Sequence, residues 1–345
     1  DPKTETQDPI PETQDPRPET QDPNPQPPMP GLLNYAIFFL TLAGIYGILT
    51  LGLNIQWGYA GMLNIGVGAF FAVGAYASAI VTAAPSDAFL GGFDWPIFLG
   101  MVLAMGVSGI LAFLIGLITL PLRTDYLAIA TIGIAEIVRL VLKNEAWLTN
   151  GVRGIAGIPK PLSWLGTSPW IVLVLVLVLL AAMFWLSNRA YLAPWGRVLR
   201  GIREDEAATQ AAGKNVLSFR LQAFVLGAMM MGLGGALYAH FVGFISPEAF
   251  QPEFATFIVW VMLIAGGSGN TRGAVLGAFV IWGIWSGTEL LTNLLPLAWV
   301  TRGSALRLLL IGVLLQVILL TRPQGMLPER PPKPSPPPRN RRIRE

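Results

Sequence analysis

The sequence predicts an all-α protein, a polytopic bundle of about nine or ten transmembrane helices of which some are broken or re-entrant. Of its 345 residues, 53% are hydrophobic and 12% are charged, whereas a soluble domain carries roughly 25% charged residues. The mean hydropathy is +0.57. The apolar residues are gathered into runs close to the roughly 20 residues that cross ~30 Å of hydrocarbon. Such a chain has room for little besides membrane helices.

The N-terminal segment differs from the rest of the chain. It repeats ETQDP from Glu5, Glu12 and Glu19 and is rich in Pro, Asp and Gln. A segment with so few apolar residues cannot bury enough surface to order itself, and it lacks the basic start and cleavage site of a secretory signal. The first methionine is Met29. We therefore expect residues 1–30 to be a disordered, dispensable tail, or translation to start near Met29.

Nine apolar segments follow, and each is predicted to cross the membrane. They are Leu32–Leu53, Gly58–Ala83, Pro96–Leu120, Tyr126–Leu142, Pro169–Leu186, Leu221–Val242, Phe254–Gly266, Ala274–Leu291 and Ser304–Leu320. The second is long and laced with glycine, which favours a short re-entrant piece followed by a span. The seventh is short and ends in a Gly-Gly-Ser-Gly run, which favours a tilted or partial helix.

The distribution of Lys and Arg predicts the orientation. Residues 188–220 carry six of them and residues 322–345 carry seven, whereas 84–95 and 243–253 carry none. Because basic residues are enriched in cytoplasmic loops, both rich segments are predicted to be cytoplasmic, including the C-terminus.

Counting the nine crossings back from a cytoplasmic C-terminus places the remaining loops. Residues 267–273 and Arg123 fall inside, 143–168 falls outside although it holds three basic residues, and the N-terminal tail falls outside. The predicted organisation is therefore a tail, a transmembrane domain of residues 31–327 with a cytoplasmic loop at 188–220, and a basic Pro/Arg-rich tail at 328–345.

Three amides lie in the glycine-rich second segment or just before it: Asn54, Gln56 and Asn64. An unsatisfied amide in hydrocarbon costs several kcal/mol, so each needs a partner. They are either polar contacts between helices or the lining of a solute path, and the sequence leaves both open.

Charged residues inside a predicted span are also candidates, because charges in a bilayer usually face the bundle or a watery cavity. Glu136 and Arg139 are three residues apart, close enough to pair on one helix face. The pair is either a structural clamp or a border of the solute path. His240, at the end of a span, is predicted to be an interfacial residue rather than a proton relay.

The segment Arg197–Gly213 reads RVLRGIREDEAATQAAG and is predicted to be a charged cytoplasmic helix that ends at a capping glycine. A charge-rich loop helix is usually only solvated, but the mixture of alanines and charges favours docking into a groove of a partner protein. The candidate docking residues are Arg200, Arg203, Glu204, Asp205, Glu206, Ala207, Ala208 and Gly213.

Several function classes are disfavoured. The sequence has no Cys and a single His, which excludes disulfides and Cys-ligated metals and argues against a His metal site. It has no Ser/His/Asp constellation and no HExxH motif, so a membrane enzyme is disfavoured. No GxxxxGK[ST] loop for ATP occurs, and the basic residues report orientation rather than nucleic-acid binding. No cofactor is predicted.

Four segments carry a resemblance to a known family. They are LGLNIQWGYAGMLNIGVGAFFAVGAY (Leu51–Tyr76), TDYLAIATIGIAEIVRLVLKN with TNGVRGIAGIP (Thr124–Asn144 and Thr149–Pro159), WGRVLRGIREDEAATQAAGKNV (Trp195–Val216) and IAGGSGNTRGAVLGA (Ile264–Ala278). In this order the chain, from about Gly31 to Leu327, resembles the membrane permease subunits of branched-chain amino acid ABC transporters, of the LivM type.

The resemblance implies an importer subunit in a bacterial inner membrane. Its expected partners are a LivH-like second permease, two cytoplasmic ABC ATPases, a periplasmic substrate-binding protein and membrane lipid. The Glu204–Gly213 helix then corresponds to the coupling helix that sits in a cleft of the ATPase, and removal of the tail after Leu327 is expected to have little effect on transport.

Alternatives to this function remain open. Within the importer class, urea or short-chain amides compete with branched-chain and other hydrophobic or neutral amino acids as the solute. A self-contained secondary transporter is the other class, but it calls for ion-coordinating polar clusters at the midplane and clear inverted repeats, and the sequence shows neither convincingly.

Overall fold

The computed structural model describes residues 31–86, 89–162, 168–293, 309, 312–313, 316–318 and 320–329. In these residues the regular secondary structure is helical apart from one two-stranded sheet, which confirms the predicted all-α class. The N-terminal tail and most of the ninth apolar segment, Ser304–Leu320, lie outside the described residues.

Eleven α-helices are described. They are α1 (Gly31–Leu53), α2 (Val67–Thr82), α3 (Ile97–Thr119), α4 (Thr124–Asn144), α5 (Ala146–Thr149), α6 (Pro169–Leu192), α7 (Pro194–Glu204), α8 (Glu206–Ala211), α9 (Val216–Val242), α10 (Ile258–Gly266) and α11 (Thr271–Asn293). π-Helical turns at Asn54–Tyr59 and Glu253–Phe257 continue α1 and precede α10, and 3-10 turns occupy Gly151–Arg153 and Pro247–Phe250. The strands are β1 (Ile155–Ala156) and β2 (Phe244–Ile245).

Four helical stretches in the described part of the chain are long and apolar enough to cross a membrane: Leu33–Tyr59, Ile97–Thr119, Pro169–Leu192 and Val216–Val242. Two shorter apolar helical stretches, Val67–Thr82 and Glu253–Gly266, accompany them. These stretches agree with a polytopic bundle. The number of crossings stays a prediction.

The second predicted span is interrupted, as its glycines predict, but its start was misplaced. Gly58 and Tyr59 belong to the π-helical turn that ends α1, and residues 60–66 are not helical before α2 begins at Val67. Gly61 has φ of 69°, a conformation that glycine adopts without steric cost. Gly58, Gly61 and Gly66 indicate an interruption but do not locate the first residue of the helix that follows.

The seventh span is also a partial helix, as predicted. α10 has only nine residues and ends at Gly266, where Gly267, with φ of 111°, caps it. The rest of this stretch is the π turn Glu253–Phe257.

Close contacts between small residues hold α2 against α9. A Cβ atom on Gly74 would lie 2.2 Å from the Gly232 carbonyl oxygen, and one on Gly235 would lie 2.1 Å from the Phe71 carbonyl oxygen. Only glycine permits this approach. Small residues that let backbones meet are the usual basis of helix packing in membranes.

The loops gather on two opposite sides of the bundle. On the sheet side, defined by residues 145–162 and 243–251, β1 pairs antiparallel with β2, Ile155 opposite Ile245. On the α7 side, defined by residues 193–215, 267–270 and 322–329, α7 contacts the C-terminal segment. This grouping agrees with the predicted topology, which put 143–168 with 243–253 and put 188–220 with 267–273 and the C-terminus.

His240 lies in the last turn of α9, and its side chain is fully buried inside the protein. Its depth in the membrane stays a prediction. Its Nε2 lies 2.8 Å from the Ser78 hydroxyl in α2, and its Nδ1 lies 2.8 Å from the Pro159 carbonyl oxygen. The loop of the sheet side folds over the end of α9, which the position of His240 in the sequence could not reveal.

Candidate functional site

The charged loop contains two helices rather than the single helix predicted for Arg197–Gly213. Asp205 has an extended backbone (φ −151°, ψ 102°) between α7 and α8. Its Oδ1 accepts a hydrogen bond of 2.9 Å from the Ala208 amide, so Asp205 caps the N-terminus of α8. The predicted continuous Glu204–Gly213 helix is therefore wrong. The loop is also shorter than predicted, because α6 extends to Leu192 and α9 starts at Val216.

The two helices differ in exposure. On α7, Leu199 and Ile202 are buried against the bundle. On α8, no residue is buried, and Glu204 to Ala208 form an exposed run that includes its first turn. Gly213 follows the end of α8 with φ of 77°, which agrees with the predicted helix end. The surface available to a partner is thus centred on α8.

Arg200 and Arg203 bond to the bundle rather than outward. Arg203 donates from Nη2 to Glu329 Oε2 at 2.7 Å and from Nη1 to the Gly58 carbonyl oxygen. Arg200 donates to the Tyr191 carbonyl oxygen at 3.0 Å and lies over the Tyr191 ring. Two of the predicted docking residues therefore tie α7 to the rest of the protein.

Further bonds extend the cluster around Arg203. Tyr191 donates its hydroxyl to Glu329 Oε1 at 3.2 Å. The Gly269 amide donates to Asn54 Oδ1 at 2.9 Å, and the Leu327 amide donates to the Gly266 carbonyl oxygen at 2.9 Å. We call Arg203, Glu329 and the Gly58 carbonyl the Arg203 node. The sequence analysis missed Glu329, whose only signal is that it is an isolated acidic residue at the start of a basic tail.

The three amides are fully buried and bond to protein groups. Gln56 donates to the Phe224 carbonyl oxygen in α9 at 2.8 Å, and Asn64 donates to Gln56 Oε1 at 2.7 Å. Asn64 Oδ1 also accepts from the Gly66 amide at 2.8 Å. These bonds favour the interpretation as contacts between structural elements. A role in the solute path stays a prediction.

The other two path candidates line a cavity of about 150 Å³ between α2, α4 and residues 250–257. Its lining is Ile65, Gly68, Ala72, Ile132, Ala135, Glu136, Arg139, Phe250, Pro252, Thr256 and Phe257. The predicted pairing is confirmed, since Arg139 Nε and Nη2 lie 3.0 and 2.5 Å from the Glu136 carboxylate oxygens. The site combines an apolar wall with one ion pair.

The two interrupted helices meet at this cavity. The Gly68 amide, in the first turn of α2, donates to Thr256 Oγ1 at 3.0 Å. Gly68 is one of the glycines that predict an interruption, but the sequence does not predict its bond to Thr256, because the two residues are 188 positions apart.

Glu248, on the sheet side, forms ion pairs with two basic residues of α4. It accepts a hydrogen bond of 2.8 Å from Lys143 Nζ, and Arg139 Nη1 lies 3.7 Å from it. The bonds from Lys143 and then Gln251 hold the pKa of the Glu248 carboxyl below its ordinary value. An ion-pair network therefore joins α4, which lines the cavity through Arg139, to the 3-10 turn Pro247–Phe250.

Comparison with known proteins gives a family match over most of the chain. The family described as "Branched-chain amino acid transport system / permease component" matches residues 35–319. The "High-affinity branched-chain amino acid transport system permease protein LivM" of Escherichia coli is 32% identical, over 84% of this chain and 69% of that protein. The "Probable branched-chain amino acid transport permease protein LivM" of Methanocaldococcus jannaschii is 30% identical, over 84% of this chain and 92% of that protein.

A paralogous type also matches. The "High-affinity branched-chain amino acid transport system permease protein LivH" of Salmonella typhimurium is 27% identical, over 70% of this chain and 81% of that protein. No solved structure matches the chain. The fold, the apolar helices and the match over residues 35–319 agree: this multi-pass membrane protein belongs to the family of branched-chain amino acid transport system permease components.

Proposed function

We propose that the chain is the membrane-spanning permease subunit of an ABC importer in a bacterial inner membrane, moving branched-chain or other hydrophobic or neutral amino acids. The observation that carries this proposal is the joining of an exposed, charged loop to an interrupted membrane helix through the Arg203 node. Such a loop is suited to receive movement from another protein and pass it to the solute path.

The energy would come from partner chains. The sequence holds no P-loop, so nucleotide binding in the P-loop manner needs another subunit. Two cytoplasmic ABC ATPases would contact α8, a second permease would lie beside this chain, and a periplasmic binding protein would deliver the solute. This chain would carry no catalytic residues of its own.

The transmission route is short. Displacement of α8 by an ATPase moves α7 across Asp205, and α7 is bonded through Arg203 to Gly58, at the end of α1. The non-helical residues 60–66 follow directly and lead to the cavity at Ile65 and Gly68. A shift of the loop thereby biases the position of the broken helix between two states, which is how an external subunit changes a conformational equilibrium.

The cavity chemistry fits a hydrophobic amino acid better than urea. Ile65, Ile132, Phe250 and Phe257 supply an apolar wall, and the Glu136–Arg139 pair lies beside it. A zwitterion can exchange its ammonium and carboxylate groups with the two halves of that ion pair, while its side chain contacts the wall. Urea offers neither charge nor an apolar part.

The proposed orientation of the chain in the membrane rests on the distribution of Lys and Arg. The α7 side holds the loop richest in Arg and the basic C-terminal tail, so the cytoplasm would lie on that side. The sheet side, with Glu248 and Lys143, would then face the periplasm and the binding protein, and the N-terminus of α1 would lie on the periplasmic side.

Uptake of labelled solutes by cells of a strain that lacks this gene tests the function. Cells complemented with the gene should import labelled leucine and alanine but not urea. Cells without it should import none of the three above background. Uptake of urea alone would contradict the proposed solute, and equal uptake in both strains would contradict the proposed function.

A further inference from the structure

The end of α6 carries an open cleft that the proposed transport route does not include. The cleft has a volume of about 440 Å³, lies at the turn from α6 into α7, and is lined by Leu186, Arg189, Ala190, Leu192 and Ala193. We call it the Arg189 cleft. Its lining combines one guanidinium with apolar side chains, of which Leu186 and Leu192 are exposed. A ligand that fills the cleft has to offer an anionic group and an apolar part together.

The position of Arg189 along α6 places it at the membrane surface. Residues 169–187, from the first residue of α6 onward, contain no Asp, Glu, Lys, Arg or His. At 1.5 Å per residue, ~30 Å of hydrocarbon takes about 20 residues, so a span that begins at Pro169 reaches the lipid head groups near Asn188. Trp185, one turn before Arg189, is exposed, as aromatic residues at membrane interfaces commonly are. The guanidinium therefore lies at the depth of lipid phosphates.

The charges around the cleft are all positive. Residues 186–203 contain four Arg and neither Asp nor Glu. Two of these Arg bond to the bundle through Tyr191 and Glu329, whereas Arg189 and Arg197 form no ion pair within the part of the chain that the structure describes. The cleft therefore attracts an anion, and it offers no carboxylate to pair with the ammonium group of a zwitterionic lipid.

Neighbouring groups hold the cation and the wall of the cleft in place. The guanidinium carbon of Arg189 lies 5.9 Å from the centre of the Trp185 ring, close enough for a cation–π contact. The turn into α7 is tight, since a Cβ atom on Gly196 would lie 2.4 Å from the Ala190 carbonyl oxygen. A guanidinium over a ring keeps its planar fork of N–H donors, which matches two oxygens of a phosphate. Such a site needs little ordering to bind.

From these observations we propose that the Arg189 cleft binds an anionic phospholipid, with the lipid phosphate bonded to Arg189 and an acyl chain against Leu186 and Leu192. A free phosphate ion shares the contact with the guanidinium, but it leaves the exposed apolar lining uncovered. The lipid satisfies both parts of the lining, and the depth of Arg189 brings its phosphate there. The inference goes beyond the proposed function, because it holds for any solute.

Photocrosslinking in vesicles of defined composition tests the site. The tagged full-length chain, with the subunits that copurify with it, is reconstituted in equal amounts of phosphatidylglycerol and phosphatidylcholine with the same acyl chains. Benzoylphenylalanine replaces Leu192, which is 61% exposed in the cleft, and in a matched control it replaces Val178, which is 59% exposed on the same helix. Mass spectrometry gives the ratio of the two lipids among the adducts. We expect an excess of phosphatidylglycerol of about five-fold or more at position 192 and equal amounts of both lipids at position 178.

Substitution of Arg189 shows whether the excess depends on its charge. Arg189→Gln should abolish the excess at position 192, whereas Arg189→Lys, which keeps the charge, should retain it. Adducts at position 178 report that each variant has inserted, and a probe at Leu186 replaces one at Leu192 if that chain fails to insert.

Four results would overturn the inference. They are an equal lipid ratio at positions 192 and 178, an excess of phosphatidylglycerol that survives Arg189→Gln, adducts with protein instead of lipid at position 192, and an excess that disappears when inorganic phosphate replaces chloride at the same ionic strength and pH. The last result would mean that the cleft takes a free phosphate ion rather than a lipid.

Discussion

The side chain of Arg203 joins three parts of the protein that are far apart in sequence. Gly58 and Glu329, its two partners, are 145 and 126 residues away. Because one guanidinium bonds both, it joins the loop, the end of α1 and the C-terminal segment. Arg203 was predicted to lie on the docking surface. In the structure it instead connects the loop to the bundle.

Replacing Arg203 with Ala should therefore uncouple the loop. Hydrogen bonds to charged groups contribute about 1.5–3 kcal/mol each, so we expect leucine uptake to fall roughly ten-fold or more with unchanged membrane insertion. Arg272→Ala, an exposed residue on the same side, is the control. Equal uptake by both variants would reject the role of the node.

Glu206 belongs to the exposed surface itself. It lies at the first turn of α8 and pairs with Arg220 of α9 at 2.8 Å. Glu206→Lys should abolish uptake while insertion stays intact, because it reverses the charge presented to the ATPase. Glu206→Gln removes the Arg220 pair without reversing charge and should retain most uptake. Undiminished uptake by the Lys variant would exclude this surface from coupling.

How far single residues could be predicted depends on how local their partners are. The Glu136–Arg139 pair is separated by one helical turn, and the sequence predicted it correctly. Asp205 starts α8 through its own N-capping bond to the Ala208 amide, a local signal that the surrounding charges obscure. The burial of His240 depends on Pro159, 81 residues away, and no local pattern reports it.

Helices α2 and α9 depend on glycine contacts for their packing. Gly74→Leu places a side chain against the backbone of Gly232, where neither element can yield. Overpacking of this kind costs about 1–3 kcal/mol. We expect a lower melting temperature in detergent, whereas Gly106→Leu on α3, where a Cβ meets nothing within 4 Å, should melt like wild type. Equal melting temperatures of the two variants would show that α2 and α9 are not tightly packed.

The contact between α4 and the Pro247–Phe250 turn should depend on pH. The folded-state pKa of Glu248 lies below its ordinary 4.5, so the pair with Lys143 stabilises the protein above that pH and is lost as the pH falls through the lowered value. Wild type should lose melting temperature more steeply below about pH 4.5 than Glu248→Gln. Parallel pH profiles would mean that the network adds no stability.

The sequence predicts that two helices are interrupted, but it does not predict where each interruption begins and ends. Glycine clusters at 58–74 and 266–269 signal them locally. The end of α1 at Leu53 is predicted correctly, whereas the second span is predicted from Gly58 and its helix starts only at Val67. The cavity could not be predicted, since it forms where Gly68 meets Thr256 across the bundle.

At the scale of the whole molecule, the C-terminal segment is part of the bundle as far as Glu329. Asn270 donates to the carbonyl oxygens of Leu327 and Pro328, and Glu329 completes the Arg203 node. This changes the sequence-based expectation that everything after Leu327 is a dispensable tail. We propose that the membrane domain extends to Glu329.

Two truncations separate these expectations. A chain that ends at Glu329 should transport like wild type, because it lacks only the basic tail. One that ends at Leu327 should lose uptake to about the level of Arg203→Ala, since both break the same ion pair. Wild-type uptake by both truncated chains would mean that the membrane domain ends at Leu327. Loss of uptake in both would indicate a role for the tail itself.

The grouping of the loops was predictable from the Lys and Arg bias together with the count of apolar segments, which places 143–168 although it holds three basic residues. Which helix faces are exposed was not predictable, because exposure depends on tertiary packing.

The central claim is that this chain is a passive gate, moved by ATP hydrolysis on other subunits. Leucine uptake into liposomes tests it most directly, comparing the complete importer isolated through a tag on this chain with the chain alone. We expect concentrative uptake by the complete importer only when ATP reaches the ATPases, and none by the chain alone under a proton or sodium gradient. Accumulation of leucine by the isolated chain under an ion gradient would contradict the account.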